Sequence, residues 1–118
     1  MFVANLIDQE NFLYHNEGGG TFTKINNNIT SYELESNYAN WIDFNNDGWM
    51  DLFVVNRFGL NNQLFKNDGT GNFIEITSGI IVNDGGNSYG SSWGDYDNDG
   101  DFDLFVANKT DEDNFLYQ

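Results

Sequence analysis

The chain has 118 residues, 39% of them apolar and 17% aromatic, enough to build the core of one ordinary domain and too apolar for disorder. Nineteen acidic residues against four basic ones give a formal charge of −15, which argues against nucleic acid or an anionic membrane as partner and points to bound cations. Cysteine is absent, so neither a disulfide framework nor thiol chemistry is available.

Proline is also absent, while asparagine and glycine are abundant, a mix that favours turns with positive φ over long helices. No apolar stretch is long enough to span a bilayer. The opening MFVANLIDQE lacks the basic and apolar regions of a signal peptide, so if the parent protein is secreted its signal is expected upstream of this sequence.

In chain order the first element is Phe2-Val3-Ala4-Asn5, and it returns as Phe53-Val54-Val55-Asn56 and Phe105-Val106-Ala107-Asn108, spaced by 51 and then 52 residues. After each copy and a five-residue connection comes Asn11-Phe12-Leu13-Tyr14, Asn62-Gln63-Leu64-Phe65 or Asn114-Phe115-Leu116-Tyr117. Glycine-rich turns then lead into TFTKI at 21–25 and NFIEI at 72–76, where apolar alternation marks a strand. Before the second and third copies stand Trp41 and Trp93, each closing a further strand.

Each unit therefore reads as four short strands, A to D, with A ending at the tryptophan and B formed by LFVxN. The chain runs B-C-D, A-B-C-D, A-B-C, with boundaries at 1–35, 36–85 and 86–118. A four-stranded unit of about 50 residues is the signature of a β-propeller blade. The predicted fold class is all-β, with about two and a half blades of four-stranded antiparallel sheet.

Between strands A and B both copies carry D-x-[DN]-x-D-G-x-x-D. In the first the positions are Asp43, Asn45, Asp47, Gly48, Trp49 and Asp51; in the second, Asp95, Asp97, Asp99, Gly100, Asp101 and Asp103. Side-chain oxygens at alternate positions of a tight loop converge on one point, and Ca²⁺ takes 6–8 oxygens at about 2.3–2.6 Å. Glycine at position six permits the sharp turn. Trp49 or Asp101 at position seven would offer a backbone carbonyl, and Asp51 or Asp103 closes the site. Two Ca²⁺ sites are expected.

An EF-hand is excluded, because position twelve is Val54 or Val106 and not glutamate. Mg²⁺ suits the loops less well, since it prefers a strict octahedron with several waters retained. A metal-free acidic turn would require neither the two-residue spacing nor the glycine at one offset twice. The second loop has four carboxylates at positions one, three, five and nine and the first has three and an amide, so loop 95–103 is expected to fill first.

These residues make the chain resemble the FG-GAP/VCBS repeats of integrin α-subunit propellers and of many secreted bacterial proteins, in particular the bacterial branch. The resemblance implies Ca²⁺ between the first two strands of a blade, at the positions named. It departs from the family in lacking any Gly-Ala-Pro; Tyr89-Gly90 takes the place of the Phe-Gly pair, with Tyr38-Ala39 as its weaker counterpart. Family propellers close with about seven blades, so the expected partners are other blades, from the same parent chain or from further copies joined head to tail as a ring or filament.

Other residues carry less. Trp41 and Trp93 suit blade packing, whereas Trp49, whose repeat counterpart is Asp101, reads as a packed loop residue or, alternatively, as an exposed indole that stacks on a sugar or anchors a protein. His15, Lys66 and Gln118 share one strand-C position, which reads as an exposed strand face, and no nucleophile or acid–base pair is evident, so no enzymatic activity is expected. The sequons at Asn28 and Asn108 read as chance in so Asn-rich a chain. The expected function is a secreted or cell-surface Ca²⁺-stabilised adhesion or interaction scaffold; a Ca²⁺-dependent lectin and the non-catalytic part of a larger secreted enzyme are the alternatives.

Overall fold

The computed structural model describes residues 1–7, 9–109 and 111–118. Ten strands form three antiparallel sheets: β1 (Phe2–Val3), β2 (Phe12–Gly18) and β3 (Thr21–Ile25); β4 (Ser36–Ile42), β5 (Asp51–Asn56), β6 (Gln63–Asn67) and β7 (Phe73–Ile76); and β8 (Ser88–Gly94), β9 (Asp103–Asn108) and β10 (Phe115–Tyr117). Strands neighbouring in sequence pair in every sheet. The chain is all-β, with propeller-like blades of three, four and three strands. Helical backbone among the described residues is confined to two single 3₁₀ turns, Asn28–Thr30 and Ile80–Val82, in the connections between sheets. Asn27 caps the first of them, its side chain accepting from the Ile29 N–H.

The sheets stack face to face, and the central strand β5 shows why its sequence is apolar without alternation. All six of its residues are buried. Leu52 and Val54 point to one side, where they cluster with Leu13, Ile29, Phe65 and Phe73. Phe53 and Val55 point to the other, with Leu64, Val82, Leu104 and Val106. A strand covered on both faces has no solvent side to mark with polar residues. Burying Phe53 or Leu64 contributes roughly 1.5–3 kcal/mol each.

The register aligns the units as the 52-residue spacing of the two tryptophans does. Trp41 faces Leu52 and Trp93 faces Leu104, and a bulge after Ser36 and after Ser88 puts Tyr38 opposite Val55 and Gly90 opposite Ala107. Tyr38 is thus the counterpart of Gly90, one position away from the expected pairing of Tyr38-Ala39 with Tyr89-Gly90. Strands A run one residue past their tryptophans. The tryptophan rings pack on phenylalanines, Trp41 on Phe73 with centroids 5.9 Å apart and Trp93 on Phe53 at 5.5 Å, edge to face.

A polar relay crosses each boundary between sheets. Asn11 Nδ2 donates to Ser36 Oγ at 3.0 Å, and Ser36 Oγ donates to Asn56 Oδ1 at 2.9 Å. One repeat later, Asn62 Nδ2 donates to Ser88 Oγ at 3.3 Å, which donates to Asn108 Oδ1 at 2.8 Å. Within the units, the backbone N–H groups of Asn5, Asn56 and Asn108 donate to Asn11, Asn62 and Asn114. These bonds satisfy polar groups buried where one B–C loop meets the next strand A.

Candidate metal centre

The two A–B loops fold alike. In the first, Asp43 accepts from the N–H groups of Asp47 (3.0 Å) and Gly48 (2.8 Å), Asn45 from that of Asp47 (3.0 Å), and Asp47 from that of Trp49 (3.0 Å). In the second, Asp95 accepts from Asp99 (3.1 Å) and Gly100 (3.1 Å), Asp97 from Asp99 (3.2 Å), and Asp99 from Asp101 (3.0 Å). Asn46 and Asn98 take left-handed φ of 57° and 61°, and Gly48 and Gly100 take 90° and 100°. The glycines sit where an L side chain is strained, which accounts for glycine at position six in both copies.

This wrapping turns the acidic side chains inward. Asp95, Asp97 and Asp99 each bring a carboxylate oxygen to within 4.8 Å of the other two. Position nine is buried at the first residue of strand B. Asp51 Oδ1 accepts from the Asn67 N–H at 2.7 Å while Oδ2 is buried with no hydrogen-bond partner, and Asp103 Oδ2 accepts from the Tyr96 N–H at 2.9 Å. Burial pushes the Asp51 carboxyl above its ordinary value, the negative charges of Asp47 and Asp43 acting in the same direction. A buried carboxylate oxygen that meets no donor at hydrogen-bonding geometry, with the Phe44 N–H nearby and the Asp43 and Asp47 charges in reach, suits a hard cation.

The loops differ in their surroundings. Lys66, on β6, places Nζ 3.2 Å from Asp47 Oδ2. At the same repeat position, one residue past β10, stands Gln118, whose Nε2 donates to Asp97 Oδ2 at 3.1 Å and also to the Tyr96 hydroxyl. The expectation of an exposed face holds at Gln118, whose side chain nevertheless reaches its loop, and needs correction at Lys66, which is half-buried beside Asp47. His15 fits it, with a largely exposed side chain 4.0 Å from Glu17. Trp49 is half exposed, but its indole lies against Gly69, where an added Cβ would come within 2.7 Å of Nε1.

The sequons are engaged locally. Asn28 Nδ2 donates to the Phe73 carbonyl at 2.6 Å, and Asn108 Nδ2 donates to the Asp113 carbonyl at 2.8 Å. Thr110 of the second sequon lies outside the described residues.

Stacked antiparallel sheets of three, four and three strands, two of them with an acidic A–B hairpin, define a β-propeller-like repeat module. The FG-GAP-like repeat profile matches residues 1–54 and again 43–106, and the chain belongs to that family. No curated protein matches the chain.

Proposed function

We propose that the chain is a non-enzymatic, Ca²⁺-binding repeat scaffold that acts in adhesion or protein interaction outside the cytoplasm. The observation that supports this reading is that two loops with the same internal hydrogen bonds recur one repeat apart, and that in the second of them Asp95, Asp97 and Asp99 bring carboxylate oxygens within 4.8 Å of one another. The ligands are Asp43, Asn45, Asp47, Asp51 and the Trp49 carbonyl in the first loop, and Asp95, Asp97, Asp99, Asp103 and the Asp101 carbonyl in the second. A bound ion offsets the repulsion among the acids and fixes strand A to strand B, so binding stabilises the sheets by mass action. Millimolar calcium outside cells suits the modest affinity of extracellular calcium modules.

The partner in this reading is another blade, from the same parent chain or a second copy. Phe105 and Leu116 are 42% and 56% exposed, whereas their counterparts Phe53 and Leu64 are covered by the third sheet to 0% and 1%. A covering blade would remove that apolar surface from water.

Calorimetric titration of the full chain with CaCl₂ tests the metal sites. Two sites per chain are expected, and one should vanish in the Asp95→Asn/Asp97→Asn double variant. Absence of any calcium heat in the unmodified chain overturns the reading.

A further inference from the structure

The central sheet departs from its neighbours at three positions that touch one another. β6 begins with Gln63 where the flanking sheets carry Phe12 and Phe115, β7 carries Glu75 where β3 has Lys24, and Tyr32 stands where the next connection has Asp84. Tyr32 Oη donates to Glu75 Oε2 at 2.6 Å, and Gln63 Nε2 donates to Glu75 Oε1 at 3.2 Å. Because the carboxylate takes the amide nitrogen, the Gln63 orientation is fixed, and its Oε1 is buried without a partner in a residue only 6% exposed. A cleft of about 330 Å³ opens beside this cluster, lined by Tyr32, Gln63 and Glu75, by the apolar residues Leu34, Leu60, Ile76 and Val82, and by asparagines and a threonine of the adjoining loops.

The corresponding place in the first sheet shows what is missing. There Lys24 lays its Nζ 3.9 Å from the centroid of the Phe12 ring, a cation over an apolar surface. The central sheet replaces that cation with a carboxylate and that ring with an acceptor-bearing amide. The donors that reach Glu75 are neutral, and the ion pairs among the described residues are His15–Glu17 and Lys66–Asp47. An ionised carboxylate has about four acceptor sites, so two remain beyond those filled by Tyr32 and Gln63. Apolar walls, a fixed negative charge and an unpartnered acceptor are together the complement of a cationic head on an apolar stem.

We propose that this cleft binds an alkylammonium group, either a free alkylamine or the lysine side chain of a partner, with its head at Glu75 and its stem along Leu34, Leu60 and Ile76. The proposal is independent of the metal loops, which lie at the A–B hairpins.

NMR titration of the isotope-labelled full chain in calcium-containing buffer tests it, with n-butylamine hydrochloride in one arm and Nα-acetyl-lysine methylamide in the other. Saturable shifts of the Gln63 side-chain amide and of the Leu60 and Val82 methyls are expected, and the tighter arm identifies the source of the ammonium. Replacing the lysine probe by its norleucine analogue, or Glu75 by glutamine, should weaken binding by about tenfold or more. Gln63→Phe installs the residue of the flanking sheets, should fold for that reason, and should abolish the shifts. No saturable shift in either arm up to tens of millimolar, or undiminished binding by the norleucine analogue or the Glu75→Gln variant, overturns the proposal.

Discussion

Lys66 Nζ stands 3.2 Å from Asp47 Oδ2, so the first acidic loop carries its own counter-charge. The second loop has a neutral glutamine in the corresponding role. The N–H of Trp49 holds the Asp47 carboxyl below the usual carboxylate range, and Lys66 adds to this effect. A cation entering the first loop must compete with the lysine and meets one carboxylate fewer. Calorimetry of the full chain should therefore show loop 95–103 filling first, and Lys66→Gln should tighten the weaker site while leaving the stronger one unchanged. Simultaneous filling, or a weaker first site after Lys66→Gln, contradicts this order.

Phe53 and Phe105 occupy the same repeat position with opposite surroundings, one fully buried between sheets and the other 42% exposed. Phe53→Ala should cost about 3–5 kcal/mol in urea unfolding. Phe105→Ala should cost less than about 1 kcal/mol. Ser36→Ala tests the polar relay that joins the same sheets: it strands Asn11 Nδ2 and Asn56 Oδ1 in a buried place and should cost about 1–3 kcal/mol. Equal costs for the two phenylalanines would mean that the third sheet does not cover the second in solution.

Two groups outside the metal loops contribute limbs to the pH profile. Asp68 is pulled down from 3.8 to about 2, first by the Thr70 hydroxyl and then by the Thr70 N–H and the Asn72 amide. Its folded value is depressed, so its stabilisation is complete above the ordinary carboxylate value and is lost as pH falls from about 4 towards 2. Tyr32 is pushed up from 10.0 to about 12 by its hydrogen bond to Glu75, then by burial and the Glu75 charge. Its folded value is raised, so its stabilisation is complete below pH 10 and is lost as pH climbs through about 12. Melting temperature against pH should show both limbs, the acid one flattened by Asp68→Asn and the alkaline one by Tyr32→Phe.

The repeat and the acidic loops are legible in the sequence because each rests on local chemistry. Phe-Val-x-Asn recurs at one spacing, and the alternate aspartates with glycine at position six describe a turn that needs no distant partner. What the sequence concealed depends on contacts between strands. Lys66 looks like any exposed lysine until the β5–β6 register brings it beside Asp47. The bulges after Ser36 and Ser88 are a matter of pairing between strands A and B, which the residue types there do not mark. Gln63, Glu75 and Tyr32 are separated along the chain, and their departures from the repeat acquire meaning only once their hydrogen bonds join them.

Thermal unfolding of the full chain in calcium and in excess EDTA most directly tests whether a divalent ion in the acidic loops holds the sheets together. Calcium at about a hundred times the dissociation constant contributes about 2.7 kcal/mol per site. With two sites filled, the melting temperature should rise by at least about 10 °C over that in EDTA. The Asp95→Asn/Asp97→Asn variant should lose part of that rise. Superimposable melts with and without calcium would show that the loops hold no structural ion.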